Sequence, residues 1–408
     1  MMQKRKLRRW IWLLLLPVLG IAIWWRPQPP GFRQVRQYPS SGSPVTALPS
    51  GFLLWGGVDI ANMTESASFR DWDNHERWCV TQPHRMMPKS WAITPDGREF
   101  AWSDYPWRPV VTVWRDGREI RHTGIGTPEE DCTWLDVRKD GTTWAATFTC
   151  QDNVMHLYAI RADRVLRGEV HLPKILPGSA ERVAYGGNVL ANIPECTLTP
   201  DATTFRVTAC VDKAPSKDVG KNDDEEGSRF YYPAFLTCRL RATSDHLELL
   251  PVARDTTTAS EMPDRWHDRI LAGPSACRIT GASGAPWVIP GAKPEKYNSD
   301  YDQTPDGRYA LIARMQAGDP GAGPVQQFRD WLSHFVPAQS YLICDLYERP
   351  GILRAHARIL LPKTGKHVLD FHAVHLATDG HAAVVTVSLD PGGGIEHITG
   401  ENMYIVKR

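Results

Sequence analysis

The chain has 408 residues, of which 23% are charged and 42% hydrophobic, and its formal net charge is +1. This composition is typical of a globular protein and excludes an intrinsically disordered chain. Five of the 47 basic residues lie at positions 1–9, which contain no acid, so the remainder has 42 basic and 46 acidic residues. That remainder has no basic stripe, and we expect no nucleic-acid partner.

Residues 10–25 read WIWLLLLPVLGIAIWW, an uncharged stretch with tryptophans at both ends. As a helix it spans about 24 Å, short of a hydrocarbon core of about 30 Å, and flanking residues or local thinning of the bilayer absorb that mismatch. The sequence predicts a single-pass anchor at 10–25 after a cytoplasmic tail at 1–9, with the rest periplasmic or extracellular. The alternative is a cleaved signal peptide, but residues 23–27 (IWWRP) make a poor cleavage site.

Residues 26–44 are rich in proline, serine and glycine and predict a linker. From 45 to 408, short apolar runs alternate with turn residues, which indicates an all-β fold. One ten-residue pattern occurs five times, aligned on Asp96, Asp140, Asp201, Asp306 and Asp379. Apolar residues alternate on both sides of each aspartate, so each copy predicts a β-hairpin with one buried face. In the third copy Ala202 replaces the turn glycine, so we expect a strained turn or one of another type.

The intervals between the five aspartates are 44, 61, 105 and 73 residues. A four-stranded propeller blade takes about 40–45 residues, so the interval of 105 fits two blades, and the fourth blade lacks the motif near Arg278. Residues 45–60 supply another blade or complete the last one. We therefore expect a β-propeller of six or seven four-stranded blades after one transmembrane helix. The TPDGR sequences at Thr94 and Thr304 resemble the TolB-type propeller repeat over residues 45–408. The α/β domain that precedes the propeller in TolB is not visible here, so its partners are not implied.

Eight cysteines follow the hydrophobic stretch, as expected for an exported, disulfide-linked domain. Cys132 and Cys150 are symmetric about the second turn, and Cys196 and Cys210 nearly so about the third. We expect each pair to face across its hairpin and form a disulfide, the alternative being buried thiols. Pairing by elimination would join Cys238 to Cys277 and Cys79 to Cys344.

Residues 324–336 (PVQQFRDWLSHFV) have helical spacing and predict a helical insertion within a blade. The helix either packs on the propeller or contacts a partner or a membrane surface. In the second case the contact residues are Phe328, Trp331, Leu332 and Phe335.

Other candidates favour structural roles. The histidines between His367 and His381 could suggest a metal, but His372 and His375 would point to opposite faces of a strand. The acidic run at 221–229 lacks calcium-loop spacing and predicts a solvated loop. Several tryptophans near polar loops could bind sugar or peptide, or simply pack; they are Trp72, Trp78, Trp107, Trp266 and Trp287.

No catalytic, metal or nucleotide motif occurs, so the sequence predicts no cofactor. We expect a membrane-anchored module that binds a protein, a peptide or an envelope polysaccharide. The alternatives are a hydrolase or lyase centred in the propeller funnel and a structural subunit of an envelope membrane complex.

Overall fold

A computed structural model describes fifteen stretches of the chain, and all regular structure within them is β-strand. The described residues are 31–39, 42–59, 61–83, 90–104, 109–149, 152–173, 183–184, 196–212, 231–252, 276–279, 287–290, 299–316, 341–361, 369–389 and 401–408. Within these ranges no helix is long and apolar enough to cross a membrane. The predicted anchor at 10–25 lies outside them and stays a prediction.

The described strands form seven antiparallel sheets, numbered here in chain order. After β1 (Gln34–Pro39), sheet 1 contains β2 (Ser43–Leu48), β3 (Gly51–Asp59), β4 (Thr64–Arg70) and β5 (Glu76–Pro83). Sheet 2 contains β6 (Trp91–Ile93), β7 (Glu99–Asp104), β8 (Val110–Arg115) and β9 (Arg118–Gly124). Sheet 3 contains β10 (Asp131–Val137), β11 (Thr143–Thr149), β12 (Val154–Ile160) and β13 (Val165–His171).

Sheet 4 contains β14 (Val183–Ala184), β15 (Cys196–Leu198), β16 (Thr204–Asp212), β17 (Tyr231–Ala242) and β18 (Leu247–Pro251), with β14 and β15 both paired to β16. Sheet 5 is the pair β19 (Ala276–Ile279) and β20 (Trp287–Pro290), in the segment predicted to hold the blade without the motif. Sheet 6 contains β21 (Ser299–Gln303), β22 (Tyr309–Gln316), β23 (Tyr341–Glu348) and β24 (Ile352–Leu360). Sheet 7 contains β25 (Leu369–Leu376), β26 (Ala382–Leu389), β27 (Glu401–Lys407) and β1.

Sheet 7 is completed by the N-terminal strand, because β1 pairs with β27 from Gln34↔Lys407 to Pro39↔Asn402. The sequence placed these residues in a linker at 26–44, and the structure places them in a sheet. The short alternation in QVRQYP is mostly polar and exposed, so it carries little hydrophobic signal. The pairing covers an edge of β27 that would otherwise lie open.

The sheets pack face to face through buried apolar clusters that each span two neighbours. Between sheets 1 and 2, for example, Phe69 and Trp78 pack with Phe100 and Trp102. Between sheets 7 and 1, Val384 and Ile405 pack with Phe52 and Leu54. In the described part such clusters connect the sheets in the order 5, 6, 7, 1, 2, 3 and 4. Successive four-stranded meanders packed in this way are consistent with a propeller-like fold.

The repeated motif forms the turn between the first and second strands of its sheet. Thr94 donates its hydroxyl to Asp96 Oδ1 at 2.6 Å, and the same oxygen accepts the N–H of Arg98 at 3.2 Å. The N–H of Gly97 donates to Thr94 O at 2.8 Å, which closes the turn at a glycine φ of +74°. The predicted hairpins are confirmed, and the aspartates act as turn formers.

Ala202 closes the third turn with the same bond to Thr199 O and a φ of +55°. Of the two outcomes expected for this copy, the structure shows the strained one: the turn type is kept and alanine adopts the left-handed region.

Candidate functional site

The two ends of the sheets are built differently. One end, here the Asp-Gly end, carries the short repeated turns. At the opposite end, here the long-connection end, strands terminate on either side of residues 213–230, 317–340 and 390–400. Those segments lie outside the described residues, but the strand ends fix which end of the sheets they connect.

The Asp-Gly end is held together by hydrogen bonds from one sheet to the turn of the next. The indole N–H of Trp78 in sheet 1 donates to Gly97 O in sheet 2 at 2.7 Å. That of Trp287 in sheet 5 donates to Gly307 O in sheet 6 at 3.0 Å. Both indole rings are buried and both N–H groups are already hydrogen-bonded, which favours a packing role over ligand binding.

Arg138 makes a third link of this kind. Its guanidinium donates to Leu198 O and Pro200 O at 3.1 Å and to Thr199 O at 3.2 Å. These bonds attach sheet 3 to the turn of sheet 4. It also lies 2.5 Å from Asp136 Oδ2. The Asp-Gly end therefore uses its polar groups to join sheets.

Of the three other tryptophan candidates, Trp72 alone lies within the described residues. Trp72 is buried and donates its N–H to Pro49 O at 3.1 Å. Trp107 and Trp266 lie outside the described residues.

The first strands of neighbouring sheets are linked by hydrogen bonds between a side chain of one strand and the backbone of the other. Ser90, just before β6, donates its hydroxyl to Cys132 O in β10 at 2.9 Å. His375 Nε2 in β25 lies 3.0 Å from Pro44 O in β2. Asp302 Oδ2 in β21 accepts the N–H of Leu376 in β25 at 2.7 Å. Since a first strand has one unpaired backbone edge, these side chains satisfy groups that the sheet leaves open.

The acids on the first strands are the groups that a funnel-centred hydrolase would use. Burial raises the pKa of Asp131. Burial also raises the pKa of Asp136, although its ion pair with Arg138 opposes the shift. Asp302 uses its second oxygen to accept the N–H of Gln303 at 2.8 Å. Asp136 and Asp302 are thus already bonded to protein groups.

Among the described residues the most enclosed acid is Glu130, between sheets 2 and 3, with 2% of its surface exposed. It accepts hydrogen bonds from Thr147 and from Thr127, the latter at 3.2 Å, and lies 3.1 Å from His156 Nδ1. Burial opposes ionisation, but His156 and Thr147 outweigh it and lower the pKa of Glu130 to about 2. The acid is therefore ionised at neutral pH and fastens the connection between the two sheets.

His156 extends this network towards solvent. Its Nε2 lies 2.8 Å from Arg167 and 3.2 Å from Glu169 on β13. Sequence reasoning missed this group because no short motif joins Glu130 to His156.

Metal binding gains no support within the described ranges, where no group of three or more histidine, cysteine or acidic side chains could hold an ion. His375 contacts Pro44, and His381 Nδ1 contacts Asp379 of its own turn at 2.5 Å. Both agree with the structural reading of these histidines. His367 and the side chain of His372 lie outside the described part, as does the acidic run at 221–229.

The expected facing geometry of the first cysteine pair is wrong. Thr147, not Cys150, lies opposite Cys132, because the hairpin is centred on residue 140 and a bulge follows Cys132. Cys132 is a buried free thiol, and burial raises its pKa to about 11. Cys150 lies outside the described residues.

The strand register also contradicts the predicted disulfide between Cys196 and Cys210. Val207 lies opposite Cys196, whereas Cys210 pairs with Ala184 and Pro233. Three residues along a strand are about 10 Å, beyond the Cα separation of a disulfide.

The pairs reached by elimination also lack support. Cys79, Cys238 and Cys344 carry free thiols in the described part. The side chain of Cys277 lies outside it.

The predicted contact residues of the inserted helix lie outside the described residues; they are Phe328, Trp331, Leu332 and Phe335. Their segment begins after Gln316, at the end of β22, and finishes before Tyr341, at the start of β23. It therefore connects two strands at the long-connection end of sheet 6.

The similarity of this chain to known proteins is low. No family model matches the chain, and no curated protein matches it. Among solved structures, the crystal structure of a protein from Lactobacillus plantarum is similar over 86% of this chain and 81% of that one, at 12% sequence identity and a TM-score of 0.29.

Proposed function

We propose that this protein is a membrane-anchored β-propeller of seven blades, of the TolB-type repeat, which binds a protein, peptide or envelope polysaccharide outside the cytosol. The observation that carries the proposal is the difference between the two ends of the sheets. The Asp-Gly end is short and interlocked, whereas the long-connection end has chain available for recognition. Binding residues are commonly placed on loops that a rigid sheet scaffold positions.

The engagement of two first-strand acids, Asp136 and Asp302, supports binding over hydrolysis. A carboxyl group that acts as a general acid or base must be able to reach the substrate. Asp302 accepts two backbone N–H groups, and Asp136 is paired with Arg138.

The position of residues 324–336 supports a protein partner. Their helical spacing would place Phe328, Trp331, Leu332 and Phe335 on one apolar face, and the segment connects strands at the long-connection end. An amphipathic helix with such spacing suits groove binding on another protein. The anchor at 10–25 would keep both partners at the same membrane.

The test compares a substitution at each end of the sheets in the full-length protein. Tagged wild type, Trp331→Asp and Lys139→Asp are crosslinked in cells, and co-purified protein and polysaccharide are quantified. Lys139 is exposed in the second Asp-Gly turn and serves as the matched control. We expect Lys139→Asp to recover as much partner as wild type. The amount recovered with Trp331→Asp should be at least about tenfold lower.

Equal recovery from both variants would count against the long-connection end as the binding site. Release of soluble sugar fragments by the purified chain would instead favour the hydrolase or lyase. A partner recovered in fixed stoichiometry would support a subunit of an envelope complex.

A further inference from the structure

The N-terminal segment that enters the fold is attached to the outer side of sheets 6 and 7. Gly31 forms a parallel bridge with His356 on β24, and the N–H of Phe32 donates to His356 O at 3.3 Å. The Phe32 side chain packs against the apolar cluster shared by sheets 6 and 7. The chain then continues into β1. Position 31 is therefore fixed on this side of the molecule.

Only residues 26–30 separate this attachment from the predicted anchor at 10–25. Five residues reach at most about 18 Å when fully extended. The headgroup region occupies roughly 5–8 Å on each side of a hydrocarbon core. A domain tethered at position 31 by so short a connection is held against the bilayer, on the side where the connection begins.

We define the rim as residues 31–33, β1 and β24, and its charge differs from that of the other outer strands. The rim carries Arg33, Arg36, Arg354 and Arg358 and no acid. By contrast, the last strands of sheets 1 to 4 each contain a glutamate; these are Glu76, Glu119, Glu169 and Glu248.

Neighbouring acids compensate the rim only in part. Glu348 is shared between Arg354 at 2.5 Å and Arg308 at 2.8 Å. Asp73 is shared between Arg36 at 3.1 Å and Lys407 at 2.7 Å.

Apolar side chains lie between the arginines on the same surface. Ile352 is 47% exposed, Leu360 51% and Val35 40%. Arg358 lies over the ring of Tyr341, 3.9 Å from its centroid, which keeps the guanidinium at the surface of β24. Arginine interspersed with exposed aliphatic residues matches a headgroup layer, where phosphates meet acyl chains.

We propose that the rim lies on the bilayer and binds anionic phospholipid headgroups, so that the propeller stands with sheets 6 and 7 towards the membrane. This rests on the anchor of the proposed function. It orients the molecule on its side, so both ends of the sheets stay accessible to partners.

The test uses the full-length chain in nanodiscs that contain phosphatidylglycerol. The photoreactive amino acid p-benzoyl-phenylalanine replaces Leu360 or, in separate preparations, Ile120 or Val165. The latter two are 45% and 43% exposed on β9 and β13, so they match Leu360 in exposure but not in position. We expect lipid crosslinks at Leu360 at least about tenfold above those at either control. The excess should fall severalfold when Arg33, Arg354 and Arg358 are changed together to glutamine, or when phosphatidylcholine replaces the anionic lipid.

Equal crosslinking at the three positions, or none at Leu360 in a chain that co-elutes with the nanodisc, would overturn the proposal. A chain that does not co-elute with the nanodisc would contradict the anchor instead. The same probes on free anionic vesicles then test whether the rim binds lipid. Preferential crosslinks at Leu360 support lipid binding by the rim, and their absence overturns it.

Discussion

The indole N–H of Trp78 donates a hydrogen bond of 2.7 Å to the carbonyl oxygen of Gly97 and thereby joins sheet 1 to the first turn of sheet 2. Trp287 repeats the relationship with Gly307 between sheets 5 and 6, at 3.0 Å. Donor and acceptor lie in different sheets in both cases. These bonds therefore fix the packing between sheets rather than the hairpins themselves.

Trp78→Phe should lower the free energy of unfolding by more than its loss of ring area explains. Phenylalanine leaves the Gly97 carbonyl without its buried donor, at a cost of about 1–3 kcal/mol. Trp144→Phe is the control, because Trp144 is equally buried within an apolar cluster. Urea denaturation of the full chain in detergent measures both, and equal losses would show that the bond to Gly97 contributes nothing.

The hairpins could be predicted because their determinants are local. In the turns that begin at Thr94 and Thr304, threonine, aspartate and glycine lie within four residues, and in all five copies the apolar alternation around the aspartate indicates which faces are buried. Phe100, Phe205 and Val385 are buried as that alternation requires. The propeller-like arrangement followed from the repetition.

The register and the contacts between sheets could not be read in the same way. A single bulge after Cys132 moves its partner to Thr147, and no residue type in this stretch indicates a bulge. Glu130 and His156 meet because the pairing of β10, β11 and β12 places Thr147 and His156 beside the residue that precedes β10. The sequence predicts a linker where β1 lies, because the partner strand β27 is at the other end of the chain.

Gly97→Ala should destabilise the protein more than Gly141→Ala does. Both glycines have a positive φ, +74° and +79°, so alanine is strained at either position by about 1–2 kcal/mol. At position 97 a Cβ would also come within 2.3 Å of the Phe69 ring, whereas at 141 it would meet nothing within 4 Å. Thermal unfolding of the two variants gives the difference, and similar midpoints would contradict the close packing of Phe69 on the turn.

Ala202→Gly should stabilise the protein. Alanine at φ +55° carries the left-handed penalty, and glycine removes it at a smaller entropic cost, for a net gain of about 0.5–1 kcal/mol. The hydrogen bond from residue 202 to Thr199 O is made by the backbone and persists. A rise in the urea midpoint is the expected reading. A fall would mean that the third turn is not strained.

Glu130 should make the protein sensitive to acid. Its pKa is lowered from 4.5 to about 2 in the folded state, so its ionised form stabilises the fold above pH 4.5. That contribution is lost as the pH falls from 4.5 to about 2 and is on the order of 3 kcal/mol in full. Between pH 6 and pH 3.5 the share lost is about 1–1.5 kcal/mol.

Glu130→Gln removes the titrating group and keeps the size of the side chain. The variant should be less stable at pH 6 and lose less stability than wild type between pH 6 and pH 3.5. Urea denaturation at the two pH values provides the comparison. Parallel losses in both proteins would place the acid sensitivity elsewhere.

Arg138→Lys should weaken the junction between sheets 3 and 4, although the charge is unchanged. The planar guanidinium reaches three carbonyl groups of the neighbouring turn and also pairs with Asp136, which one ammonium group cannot reproduce. We expect a loss of about 1–3 kcal/mol, since Leu198 O and Thr199 O lose partly buried donors. Arg98→Lys is the control, because the pair of Arg98 with Asp116 is exposed and worth about 0–1 kcal/mol. Hydrogen exchange should speed up in β15 and β16 for Arg138→Lys alone. Equal exchange in the two variants would show that the sheets are joined by their apolar cluster without help from this side chain.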